Sequence, residues 1–285
     1  MLRGHIVAAL TIIIWSMTFV QTKILLEYLT AVEILIDRFV LAWVLFWLIA
    51  PRVVRTSWRE ELLFMALGVS GIFGYYIFEN LALGSTSVIN VGLIVTTSPI
   101  FTALFLLIYK PTSRASIIPT IAGFGLVLSG LAIMGYGHAS DLGVGDLLAL
   151  LGAVSFGLYS ILLGMVGRRF DVLIVTRKSF FWGIVFLSIY ALYTGEAFGS
   201  QQYSLPVVWT NLLFLALIAS GLCFVMWRWA VKRIGAVKAS NYIYLAPLLN
   251  ALAAVWVLDE VITLQTIVAG AVMLAGLVVA QGYGA

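Results

Sequence analysis

The chain has 285 residues, of which 63% are hydrophobic and 10% charged, with a net charge of +4 and a mean hydropathy of +1.12. A water-soluble domain carries about 25% charged residues, so this composition excludes a soluble globular protein and leaves an integral membrane protein. Ten spans of about 20 residues would use roughly 200 positions, which leaves short loops and no room for a soluble catalytic domain.

Apolar runs bounded by turn residues predict ten helices: Gly4–Leu26, Ala31–Ala50, Glu61–Leu83, Val88–Tyr109, Ile117–Tyr136, Asp146–Val166, Leu173–Tyr193, Val207–Val231, Ala236–Leu258 and Leu264–Gln281. The breaks fall at Pro51, Gly84-Ser85, Pro111, Gly143 with Gly145, Gly199-Ser200 and Pro206, where turn chemistry is strongest. The first run is followed by further spans and lacks a small-residue cleavage site, so it is expected to be a membrane helix and not a removed signal.

Polar residues inside these runs are the functional clues, because an ionisable group at membrane depth costs about 2.5–3.5 kcal/mol unless it faces a cavity or a partner. In the first span Thr11, Trp15, Thr18 and Thr22 share a face. Arg38 lies seven residues into the second span, about 10 Å deep at 1.5 Å per residue. In the third span Glu79 and Asn80 sit within an apolar run, and Tyr75 and Tyr76 share the face of Glu79. Asn90 and Thr97 align in the fourth span, where Pro99 is expected to open a carbonyl or bend the helix. Ser155 and Tyr159 align in the sixth, Trp227 lies near the inner end of the eighth, and Asn241, Tyr244 and Pro247 follow in the ninth.

Aromatic walls with a few placed polar groups are what a small-molecule cavity needs. Glu79 reads as a ligand for a substrate amine or a coupling proton, with Arg38 beside a substrate carboxylate. The alternative is a fixed ion pair between the two, or of Arg38 with Glu33 or Asp37. Asn80, Asn90 and Asn241 need partners in lipid, whereas a lone Thr or Ser often bonds its own backbone. Arg228, one turn from Lys232, is expected to reach the headgroups.

If the amino terminus is cytoplasmic, thirteen of the 16 Lys and Arg fall in cytoplasmic segments. The outer segments then hold Lys23 alone against Glu27, Asp141, Asp146, Glu196, Asp259 and Glu260. This bias predicts both termini inside.

The chain also repeats. Setting Pro99 on Pro247, 148 positions later, aligns Ala82 with Ala230, Ala103 with Ala251 and Leu104 with Leu252. Thr120-Ile121 and Gly130-Leu131 match Thr266-Ile267 and Gly276-Leu277. Five helices per half is an odd number, so residues 1–137 and 138–285 are expected to be two five-helix repeats inserted in opposite directions. Such repeats place a transporter's binding site at their interface.

Three stretches carry a family resemblance: ENLALGSTSVINVGLIVTTSPIFTAL, Gly145-Asp146-Leu147-Leu148-Ala149-Leu150, and Tyr244-Leu245-Ala246-Pro247 through Asp259-Glu260. The chain resembles the drug/metabolite transporter superfamily, and within it the ten-helix EamA-type transporters. The resemblance implies an all-α polytopic membrane protein with ten transmembrane helices in two inverted repeats around a central cavity. It also implies alternating-access transport of small metabolites, often amino acids, with export favoured. Arg38-Phe39 matches the arginine often found in the family's second span. Lys110-Pro111-Thr112 departs from the glycine-glutamate turn often found in the first half.

A broader drug or nucleotide-sugar carrier is the alternative cargo class, and an intramembrane enzyme the alternative activity. Gly143-Val144-Gly145-Asp146 is superficially like an intramembrane aspartyl protease motif, but the tyrosine-aspartate pair such enzymes need is absent. His5 and His138 are the only histidines and have no partner at metal-ligand spacing. No catalytic residue, metal or cofactor is expected. The expected partners are a small-molecule substrate and the lipid bilayer, with a proton as coupling ion and no nucleic acid. The assembly is expected to be a monomer or weak homodimer in the inner, cytoplasmic membrane.

Overall fold

The computed structural model describes residues 2–109, 114–135, 143–166, 170–196, 201–234, 242 and 245–281. Among them every regular element is helical and none is a strand. Ten α-helical spans follow in order, with a short 3-10 turn at Gln201–Ser204 before the eighth. They are α1 (Leu2–Leu25), α2 (Ala31–Ile49), α3 (Trp58–Ser85), α4 (Val88–Val95 and Ser98–Tyr109), α5 (Arg114–Gly135) and α6 (Val144–Val166). Then come α7 (Val172–Thr194), α8 (Pro206–Leu213, Phe214–Leu222 and Cys223–Ile234, end to end), α9 (Ala246–Leu258) and α10 (Leu264–Gln281). Seven of the ten are long and apolar enough to cross a membrane. Of the other three, α2 carries Glu33, Asp37 and Arg38, and α9 and α10 are shorter. Lys110-Pro111-Thr112, His138, Asp141, Asn241 and Tyr244 lie outside the described residues, as does the side chain of Arg228.

Local chemistry explains where the helices start and stop. Helix α3 begins at Trp58, three residues before the expected Glu61. There Ser57 and Glu60 form a capping box that satisfies two of the orphan N–H groups of the first turn. Thr30 and Glu33 do the same for α2. Asp171 caps α7, and Gly195 ends it in the left-handed region, at φ 69°.

Helix α4 breaks at Thr96-Thr97, just before Pro99. The hydroxyls of Thr96 and Thr97 donate to Gly92 O and Ile94 O, both at 2.6 Å, and Ser98 donates to Val95 O. These bonds occupy carbonyls at the break in the backbone ladder. Pro99 is therefore the second residue of a new helical segment, and Pro247 holds the same place in α9. A first-turn N–H has no intrahelical acceptor, so a proline there forfeits nothing. Pro99 is exposed and Pro247 buried, and neither lines either of the two cavities at the bundle surface described below.

The packing pairs exchange when the two halves are exchanged. Helix α3 packs on α6 as α8 packs on α1, and α4 packs on α6 as α9 packs on α1. Helix α3 packs on α7 as α8 packs on α2, while α2–α7, α4–α9 and α5–α10 pair with their own counterparts. The α5–α10 contact is among the most extensive. It closes where a Cβ on Gly276 would lie 2.7 Å from Gly123 O, so the backbones touch directly. Large apolar side chains such as Ile13, Val44, Leu106, Ile121, Ile189 and Trp256 remain exposed around the bundle. That is the surface a hydrocarbon solvent requires.

One end of the bundle is acidic and carries Glu27, Asp146, Glu196, Asp259 and Glu260. The other carries Arg52, Arg55, Arg59, Lys178 and Arg233. Lys23 is the cation out of place, and its partners explain it. Its ammonium donates to Leu83 O and, at 3.0 Å, to Thr86 O, carbonyls at the end of α3. Such orphan carbonyls favour a cation. The Glu260 carboxylate likewise accepts from the first N–H groups of α4, Val88 at 2.7 Å and Ile89 at 3.1 Å.

Candidate functional site

Helices α3 and α8 each contain a π-helical stretch, Gly68–Gly74 and Phe214–Leu222. In each, the closing N–H reaches back five residues, Tyr75 to Ser70 O and Cys223 to Ile218 O. When the four-residue ladder resumes, one carbonyl is passed over: Gly71 in α3 and Ala219 in α8. Each stretch faces the first helix of the other half. The Trp15 indole N–H of α1 donates to Ala219 O at 3.0 Å. The Tyr159 ring of α6 lies directly on Gly71, where any Cβ would overlap it. The sequence carries a signal for both stretches that the pattern reading passed over. Val69-Ser70-Gly71-Ile72 recurs as Ala219-Ser220-Gly221-Leu222, 150 positions later.

The two stretches flank a buried polar cluster. Arg38, 3% exposed, donates from Nε to Ser220 Oγ of the α8 stretch at 2.9 Å. Its guanidinium carbon lies 4.7 Å from the centre of the Tyr76 ring and 5.4 Å from that of Phe39. Its Nη1 is buried without a hydrogen-bond partner. Glu79, 1% exposed, has the Tyr75 hydroxyl as its polar neighbour and feels the charge of Arg38 through space. No ion pair joins Arg38 to Glu79, Glu33 or Asp37, so the fixed-pair alternative is not realised. Glu33 caps its own helix, and Asp37 accepts from Tyr203 at 2.5 Å. Outside the membrane spans, burial and then this bond to Asp37 push the Tyr203 phenol above its ordinary pKa.

An aromatic chain runs from this cluster to the basic end. Phe39 meets Phe180 at 5.0 Å, Phe180 meets Phe224 at 6.1 Å, Phe224 meets Trp15 at 5.8 Å, and Trp15 meets Trp227 at 5.5 Å between ring centres. The structure thus joins Arg38, Tyr76, Glu79, Tyr159, Trp15 and Trp227, which the sequence singled out on five different helices.

Other expected residues take up local duties. Thr18 donates to Trp15 O at 2.6 Å and Thr97 to Ile94 O. Asn90 belongs to the acidic end: its amide and the Thr86 hydroxyl both donate to Asp146 Oδ1, at 3.4 and 3.1 Å. Asn80 donates to Ala31 O at 3.5 Å and lines a cavity of about 640 Å³ at the acidic end. A second cavity, about 600 Å³, opens between α1 and α9 and is walled by Ile13, Met17, Leu252 and Trp256. Ser220 joins the set only through a tertiary contact, its bond to Arg38.

A ten-helix bundle with a buried cation, a buried carboxylate and aromatic walls at the meeting of its halves defines a polytopic membrane protein of the transporter class. The family model described as "EamA-like transporter family" matches residues 2–136 and again 143–281, and the chain belongs to that family. It is 29% identical over 283 residues to an "Uncharacterized transporter" of Archaeoglobus fulgidus, covering 96% of each chain. It is 26% identical over 274 residues to a "Probable terminal-alkyne amino-acid exporter" of Streptantibioticus cattleyicolor, covering 94% of this chain and 89% of that one. A solved protein crystal structure matches with a TM-score of 0.63 at 20% identity, over 98% of this chain and 95% of the other, a likeness of fold.

Proposed function

We propose that the chain is a secondary transporter that exports small metabolites bearing both a carboxylate and an amine, amino acids first among them, by alternating access. One observation carries this reading: Arg38 keeps an unpartnered Nη1 in the same buried cluster as Glu79. A buried charged donor without a partner costs about 1–3 kcal/mol or more, which a ligand carboxylate would recover. Glu79 is then the counter-group for the amine or for a coupling proton. Tyr76, Tyr159, Trp15 and Trp227 wall the route. The printed name of the Streptantibioticus relative supports amino acids as cargo and export as direction.

The matched stretches support division into repeats 1–137 and 138–285. The exchange of packing pairs supports their inversion. Charge bias supports the cytoplasmic membrane with both termini inside.

The test is flux of labelled amino acids through the purified protein in liposomes, with and without a pH gradient. Arg38→Gln should weaken carboxylate recognition by roughly ten- to a hundredfold, the loss of a charge-assisted bond of about 1.5–3 kcal/mol. Glu79→Gln should fold but lose gradient-coupled flux or amine selectivity. Wild-type flux and pH dependence in both well-folded variants would sink the assignment.

A further inference from the structure

The cavity of about 640 Å³ at the acidic end has an electrostatic character that the transport site does not account for. Its charged wall residues are Glu27 and Glu33, and no lysine or arginine lines it. Glu33 is 3% exposed and Asn80 0% exposed, and each keeps one buried oxygen, Oε1 and Oδ1, with no hydrogen-bond donor. Their remaining polar atoms are committed. Glu33 Oε2 accepts from Thr30 N–H at 2.9 Å, and Asn80 Nδ2 donates to Ala31 O at 3.5 Å. That last bond ties α3 to the start of α2, so both oxygens belong to one helix junction. At the rim, Glu196 accepts from the Thr30 hydroxyl at 2.6 Å and adds a further carboxylate.

Two buried acceptors without donors, in a wall with acidic groups and no cations, call for a positive ligand. The ligand's size and charge follow from the same residues. Both oxygens lie behind the cavity wall, so an occupant that reaches them sheds its water and must be small. Glu33 is the one carboxylate among the two, which matches a single positive charge better than a divalent ion needing several anionic oxygens.

We propose that Glu33 and Asn80 form a binding site for a small monovalent cation at the base of the acidic-end cavity. Its occupant is either an alkali ion or a primary ammonium group. The site uses other side chains than the Arg38–Glu79 cluster and does not depend on the transport reading.

The experiment is thermal unfolding of the purified, detergent-solubilised full chain in sodium, methylammonium or choline chloride at equal ionic strength. A ligand that binds only the folded state raises Tm saturably. Sodium or methylammonium should do so, and choline, too bulky and without N–H donors, should not. Sodium alone identifies an inorganic ion, and methylammonium alone or more strongly identifies an amine. Glu33→Gln keeps an acceptor for the Thr30 cap and should abolish the rise, as should Asn80→Leu. If either variant fails to fold, the other and the choline contrast still decide. An equal rise in all three salts, no rise in any, or a rise that persists in Glu33→Gln would overturn the site and leave water as the partner of both oxygens.

Discussion

The π-helical stretches of α3 and α8 occupy matching places in the two halves but resolve the same problem differently. In α3 the solution is steric: Gly68, Gly71 and Gly74 let α6 and α7 press onto the helix. A Cβ at Gly68 would lie 2.8 Å from both Ser179 O and Gly183 N, which are backbone atoms that cannot swing away. In α8 the solution is polar. Trp15 takes the passed-over Ala219 carbonyl, and Ser220 turns its hydroxyl to Arg38. The matching serine in α3, Ser70, bonds only its own helix at Ala66 O. A symmetric backbone thus carries asymmetric chemistry, and the polar stretch of α8 is the one that binds Arg38, the buried cation of α2.

This contrast breaks most sharply at the glycines. Gly68→Ala should cost about 1–3 kcal/mol or more through overpacking against fixed backbone, seen as lost yield of monodisperse protein and a lower Tm. Gly221→Ala, its test in the other stretch, would meet the end of the Leu45 side chain at 2.5 Å and Ala216 O at an ordinary 3.4 Å, and should stay near wild type. Equal damage at both would mean that the two stretches are packed alike.

Next in size is the carbonyl. Trp15→Phe keeps a ring but strips the N–H from Ala219 O, at a cost of about 1–3 kcal/mol in unfolding measurements. Tyr159→Phe leaves the ring on Gly71 and should change stability by less. The reverse order would show that the α3 carbonyl also depends on a side-chain donor.

The smallest effects separate the serines. Ser220→Ala should cost about 1 kcal/mol or somewhat more and weaken cargo binding, because it frees the Arg38 Nε. Ser70→Ala should stay within about 0.5 kcal/mol and leave binding unchanged. Matching binding defects would erase the asymmetry.

Much of the site was legible in advance because charge in lipid is conspicuous. Glu79 and Arg38 stood out by cost alone, and Tyr76 by sharing a helix face with Glu79. Ser220 did not, since one serine in an apolar run is usually bonded to its own backbone, as Thr18, Thr97 and Ser70 are. Asn90 looked like a cavity residue but serves the α3–α4 turn through Asp146. Pro99 looked like an interruption, whereas the hydroxyls of Thr96, Thr97 and Ser98 mark the break before it.

By itself the sequence determined the membrane environment, the run of apolar helices, the internal repeat and the identity of the costly charges. Each of these depends on composition, on local spacing or on hydrogen bonds within a turn. Only the tertiary structure decided which polar groups meet. A π-helical residue turns everything beyond it by about 100° relative to an α-helical count, so faces read across Gly68–Gly74 or Phe214–Leu222 lose their register. The contacts of Arg38 with Ser220 and of Trp15 with Ala219 also join residues 182 and 204 positions apart. No local pattern can encode such a pairing, because it depends on how one helix is rotated against another.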